Sequence, residues 1–139
     1  MRCVMIGGTG AVGHATVEAL LQIPELDHLT LLVRRETGLA DERVSEHVGD
    51  LRDSATYRHH LDDHDTAICT LGVGEPTKMA KDEFRRIDHD MPFAFATACR
   101  EAGVEHFLLL GSVGASASSQ SFFLRTKGEL EEAITGLGF

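Results

Sequence analysis

Five short apolar runs punctuate the chain, at residues 3–6, 29–33, 44–48, 66–71 and 107–110, each of strand length. Between most of them the spacing changes to the three-and-four pattern of an amphipathic helix, at 11–22 (stopped by Pro24), 54–61, 82–102 and 122–137. Pro92 falls inside the third helix. It is read as lying in the first turn of a helix capped by Asp90, the alternative being a kink in a longer helix. Phe93, Ala94, Phe95, Ala96 and Ala98 are expected to form the packing face of that helix. Strands at this spacing must run parallel with crossover helices, and a run such as Leu29-Thr30-Leu31-Leu32-Val33 suits a sheet covered on both faces. The pattern therefore predicts an α/β fold, a doubly wound parallel sheet of about five strands in the order 3-2-1-4-5. The closing Gly136-Leu137-Gly138-Phe139 reads as a helix end turning toward another strand, so the sheet is expected to stop short of a sixth. On that reading the chain is a fragment or a natural truncation.

Composition narrows the class. With 139 residues, 42% hydrophobic and 25% charged, the chain reads as one globular domain over 1–139. No apolar run approaches the ~18 residues of a membrane span. The first strand starts where a secretory leader would stand, which leaves the cytoplasm as the expected location. A formal charge of −9 opposes binding to a nucleic-acid backbone. Cys3, Cys69 and Cys99 are odd in number and far apart, which favours buried apolar thiols over disulfides or a zinc site. An unpaired fifth strand would invite a neighbouring chain, and a homo-oligomer is expected on that account.

The chemistry begins at the first strand end. In Gly7-Gly8-Thr9-Gly10-Ala11-Val12-Gly13 an apolar strand runs through a glycine turn into a helix. A pyrophosphate needs a turn that accepts positive φ, backbone N–H groups unshielded by Cβ atoms, and a helix N-terminus facing its charge. Gly7, Gly10 and Gly13, with Thr9, Ala11 and Val12 between them, meet those needs and predict a dinucleotide site. After the second strand, Arg34 and Arg35 stand where an acidic residue would bind the ribose 2′-hydroxyl of NAD. Guanidinium groups match a 2′-phosphate, so NADP is expected. Glu36 keeps NAD open, and a pair of solvated arginines is the plain alternative. Asp50, beside Leu51 at the end of the third strand, is placed to accept from the adenine amino group or else to cap the next short helix, a role for which Asp53 competes. Leu71, Gly72 and Val73 would let the backbone pass close to the cofactor ribose, although a plain loop would read the same.

These pieces, together with Cys69-Thr70-Leu71-Gly72, the block from Phe84 to Asp90, the block from His106 to Ala115 and Lys127-Gly128-Glu129-Leu130-Glu131, resemble the short-chain dehydrogenase/reductase superfamily. The resemblance is to its atypical NAD(P)-binding branch, which includes the Tat-interacting-protein-like oxidoreductases. It implies a Rossmann-like fold, general acid catalysis by the Tyr of a Tyr-x-x-x-Lys pair, and a Ser that polarises the carbonyl. Lys127 matches the Lys, which would also hold the nicotinamide ribose, and Ser112 matches the Ser. Phe123 stands at the Tyr position. Ser112 also reads as a turn residue, with Val113 at the reactive position of some relatives, and Lys127 also reads as a surface lysine. The only tyrosine, Tyr57, belongs to another element. The resemblance further implies that substrate specificity lies in a C-terminal part absent from this chain.

The run from Tyr57 to Asp65 carries three His and three Asp, but its spacing and its lack of an apolar wall argue against a metal. Two functions remain: an NADP(H)-dependent oxidoreductase acting on a small carbonyl or alcohol, and a catalytically silent NADP-sensing or scaffold module that regulates a protein partner. Phe123 favours the second.

Overall fold

The computed structural model describes residues 1–74 and 76–139. Its strands are β1 (Arg2–Ile6), β2 (His28–Val33), β3 (Val44–Val48), β4 (Thr66–Cys69) and β5 (His106–Leu109). Its helices are α1 (Ala11–Leu21), α2 (Lys81–Arg85), α3 (Met91–Glu101) and α4 (Phe122–Thr135). All strand pairs are parallel, in the order β3-β2-β1-β4-β5. The expected sheet is borne out. β1 and β4 are central and, beyond the exposed Arg2 at the start of β1, uncharged on both faces, as burial from both sides demands. Alternation sorts their side chains, Cys3 and Met5 packing with Val17 and Leu20 of α1, and Val4 and Ile6 with Phe95 and Cys99 of α3. Burial pushes the Cys3 thiol up to about 11 and the Cys69 thiol up to about 12, as expected of structural thiols.

Register sets the site. Ile6 pairs with Leu32 and Cys69, Val33 with Val48, and Cys69 with Leu109. The segments that follow all five strands therefore emerge along one edge. Because β1 lies between β2 and β4, the chain leaves it in opposite directions, and a crevice opens there.

Three local expectations are corrected. Residues 54–61 form two 3-10 turns, Ser54–Thr56 and Arg58–His60, in place of one helix. Asp53 caps the first by accepting from Ala55 N–H at 3.0 Å, so the capping role falls to Asp53 and not to Asp50. Asp90 does not cap α3: it has helical backbone angles and no capping hydrogen bond. Instead α2 runs through a π-helical segment, Arg86–Asp90, into α3, and Pro92 lies in the first turn of α3. Proline lacks an N–H and its ring crowds the carbonyl four residues back, and the wider π turn relieves that conflict. Ala94 is exposed, whereas Phe95, Ala96 and Ala98 are buried.

At one edge of the sheet, β5 carries Leu108, which is 51% exposed. On the other face of β5, Phe107 packs against Phe95 and Phe139, with ring centroids 5.8 and 5.1 Å apart.

The histidine-rich segment locks onto β2 and β3. His60 stacks face to face on His47, centroids 3.6 Å apart, and His64 Nε2 lies 2.8 Å from Thr30 Oγ1. Among the described residues no group of His, Cys, Asp and Glu is arranged to hold a metal ion. Burial lowers the pKa of His28, His47 and His60 below the ordinary 6.5, and repulsion among the histidines, with Arg2 acting on His28, adds to it. The folded state therefore binds fewer protons than the unfolded chain. That contribution to stability is complete above 6.5 and is lost as pH falls below it through the folded values. Urea midpoints are expected to be flat above pH ~7 and to fall between about 6.5 and 5, with a shallower fall in His47→Gln. Equal slopes in both proteins would contradict this assignment.

Candidate functional site

The glycine turn at the end of β1 is shaped by two contacts. Gly7 has φ +84°, and a Cβ on it would overlap the backbone of Leu71. A Cβ on Gly13 would overlap the Gly7 carbonyl oxygen, which already accepts Gly10 N–H at 3.1 Å. Gly10 begins α1 without a side-chain cap, and the first turn carries no acidic residue. The helix start thus presents open N–H groups and positive potential to the crevice, the arrangement that holds a phosphate.

Three adjoining cavities, all bordered by Leu71 and Gly72, run along the carboxyl edge of the sheet. The central one, of about 140 Å³, lies against Gly7, Thr9, Gly10 and Arg34. Toward β3 a cavity of about 380 Å³ is bordered by Arg34, Asp50, Leu51, Val73 and also Arg52, which the sequence reading passed over. Toward β5 a cavity of about 360 Å³ is bordered by Gly10, Ala11, Val12, Val73, Ser112, Phe123 and Lys127. The expected site residues are thus brought to one groove, with two exceptions. Gly13 is buried behind the turn, and Arg35 borders a cavity of about 440 Å³ over α1 that shares Gly8 and Thr9 with the central one but not Arg34. Consecutive residues beyond a strand end point to opposite sides, which separates Arg34 from Arg35.

Lys127 is not a surface lysine. It is buried on α4, one turn after Phe123, with Nζ 2.5 Å from Oδ1 of fully buried Asp88. Asp88 Oδ2 accepts Val73 N–H at 3.0 Å, and its Oδ1 takes no further hydrogen bond among the described residues. A Cβ on Gly72 would lie 3.2 Å from Asp88 Oδ1 and 3.4 Å from Lys127 Nζ. One carboxylate thus ties α4 to the loop that borders all three cavities. Asp88 was legible in principle. Phe84, Asp88, Met91 and Phe95 share one helical face at spacings of four, three and four, and an acid on an apolar stripe needs a buried partner.

Around Phe123 the wall is aromatic, its ring 5.4 Å from that of Phe84. The preceding serine-rich loop is pinned by Arg125, which donates to Ser119 O at 2.8 Å, and packs so closely on α4 that only glycine fits at Gly128. Tyr57 lies in the core against Phe95, burial pushing its hydroxyl up to about 12. It does not border the groove.

A doubly wound sheet with a phosphate-ready turn and a groove across its switch point defines a dinucleotide-binding domain. A family model described as NAD(P)H-binding matches residues 7–135, and the chain belongs to that NAD(P)H-binding family. Protein FMP52, mitochondrial, of Meyerozyma guilliermondii is 30% identical over 142 residues, covering 100% of this chain and 60% of that protein. Protein HTATIP2 of Rattus norvegicus is 30% identical over 138 residues, covering 97% of this chain and 57% of that protein. The chain thus spans about 60% of the length of these relatives. Among solved structures, MoeE5 in complex with UDP-glucuronic acid and NAD matches with a TM-score of 0.80 at 20% identity, covering 99% of this chain and 49% of that one. The resemblance to the short-chain dehydrogenase/reductase superfamily, in its atypical branch, is borne out. The cytoplasmic expectation is not, because several of the fungal relatives are named as mitochondrial proteins. That expectation rested on the position of the first strand, which carries no information about the compartment.

Proposed function

We propose that the chain is the NADP(H)-binding domain of an oxidoreductase that acts on a small carbonyl or alcohol. The observation that carries this reading is the continuous groove from Arg34, past the glycine turn, to Lys127. Gly7, Thr9, Gly10, Ala11 and Val12 would hold the pyrophosphate, with Gly13 letting α1 approach the turn. Asp50 would accept from the adenine amino group through Oδ2, since its Oδ1 is taken by Arg52 N–H at 3.0 Å. Leu51 and the 71–73 backbone would flank the adenosine, and Arg34 would favour a 2′-phosphate. The bound nucleotide supplies a hydride donor or acceptor. Lys127 would donate to the nicotinamide ribose and Ser112 to a carbonyl oxygen.

Phe123 supports a second reading, in which the domain binds the nucleotide without turnover and regulates a protein partner. It occupies the position at which a proton donor would stand, and phenylalanine has none to give.

Calorimetry with NADPH and NADH, followed by assay against a carbonyl panel, separates the two. Turnover by the parent protein supports the enzyme, with a gain of about 10²-fold or more expected in Phe123→Tyr. Activity in the Tyr variant alone supports the silent module. Failure to bind either nucleotide at millimolar concentration defeats both, and a preference for NADH defeats the assignment to NADP.

A further inference from the structure

The two arginines adjacent in sequence part company in the fold, and the guanidinium that shares a cavity with Arg34 comes from the next strand. Arg52, just beyond the end of β3, borders the same 380 Å³ space, while Arg35 borders the cavity over α1 beside His14 and Glu18.

Arg52 is held at both ends. Its N–H donates to Asp50 Oδ1, and its Nη2 donates to Glu83 Oε1 at 2.9 Å. The same Glu83 carboxylate lies 3.3 Å from Arg86 Nη1 through Oε2. Among the described residues only one of the guanidinium nitrogens of Arg52 has a hydrogen-bond partner, which leaves Nε and Nη1 as further donors. Arg34 makes no ion pair with any described residue. The charged residues that border this cavity are Arg34, Arg52 and Asp50, two guanidiniums against one carboxylate. A guanidinium oriented in advance by a carboxylate loses less rotamer freedom when it takes a second anion.

We propose that Arg34 and Arg52, from the ends of β2 and β3, form the clamp that recognises the 2′-phosphate of NADP(H), with Arg35 outside it. The clamp rests on the dinucleotide reading above. A 2′-hydroxyl can neither accept a charge-assisted pair of bonds from Arg52 nor repay the desolvation of two guanidiniums, so the clamp discriminates against NAD(H).

The test is calorimetry on the full chain with NADP+, NAD+, 2′,5′-ADP and 5′-AMP, comparing Arg34→Ala, Arg35→Ala, Arg52→Ala and Arg52→Lys. Unliganded melting temperatures serve as the check of folding. Arg52→Ala and Arg34→Ala are each expected to weaken NADP+ and 2′,5′-ADP by about 10- to 100-fold and NAD+ and 5′-AMP by less than about 3-fold. Arg52→Lys, which keeps the charge and loses the fork, is expected to fall between, and it carries the test if the alanine variant does not fold. Arg35→Ala is expected to change every ligand by less than about 3-fold. The clamp is overturned if Arg52→Ala leaves NADP+ unchanged, if it weakens NAD+ as much as NADP+, or if Arg35→Ala matches its loss. Wild-type protein that binds NAD+ and NADP+ equally refutes the clamp while the dinucleotide reading stands, and protein that binds neither refutes both.

Discussion

Gly13→Ala is expected to cost about 3 kcal/mol of stability and to lower Tm by about 10 °C. NADPH affinity is expected to fall by about 100-fold, the scale of a 1 Å misplacement at a site. The added methyl group would overlap the Gly7 carbonyl oxygen. That oxygen cannot retreat freely, because it accepts Gly10 N–H and because Gly7 itself abuts the Thr70–Leu71 backbone. Strain at Gly13 therefore passes in two directions, into the start of α1 and into the loop that borders every cavity of the groove. Gly8→Ala is the internal control. Its Cβ would meet only Leu31 Cδ2 at 3.4 Å and Val17 Cγ2 at 3.6 Å, ordinary contacts, so a change in unfolding free energy within about 0.5 kcal/mol is expected. Equal stability losses in the two variants, measured by urea unfolding, would remove the special role assigned to Gly13.

The parts of the molecule that were legible in the sequence are those whose cause is local. Gly7 needs positive φ, Cys3 to Ile6 need burial on both faces, and the alternation of strands with helices forces parallel crossovers, so the parallel sheet follows from spacing, while the dinucleotide-type glycine turn after β1 points to the order 3-2-1-4-5. What escaped depends on groups that meet only in space. Arg52 joins Arg34 because β3 lies beside β2, and Glu83 reaches Arg52 only through the packing of α2. The divergence of Arg34 and Arg35 was readable from strand alternation, but adjacency in sequence suggested a pair. Residues 54–61 hold only three strong helix formers, Ala55, Arg58 and Leu61, and Asp53 caps a tight turn, the stacked His47 and His60 fix the next one, and Asp63 takes φ 63°, so weak propensity yields to local and tertiary contacts.

Asp88→Ala is expected to be the most damaging single change away from the glycine turn, and Lys127→Met its near equal. Each leaves a charge buried without its partner, a cost of about 3–5 kcal/mol when one member of a buried pair is removed. In Asp88→Ala, Val73 N–H also loses its acceptor, so the groove loop should loosen together with α4. The double variant Asp88→Ala/Lys127→Met removes both charges and is expected to recover most of the stability, because two buried ions repay their desolvation only through each other. Stability and binding should then separate. The double variant is expected to fold with a urea midpoint above that of either single variant and below that of the parent, because Val73 N–H still lacks its acceptor, and to bind NADPH about 10-fold more weakly for want of the Lys127 donor. Additive losses in the double-mutant cycle would mean that Asp88 and Lys127 do not act as a pair. Full nucleotide affinity in the recovered protein would mean that the pair holds the fold of the loop while Lys127 contributes nothing to the ribose.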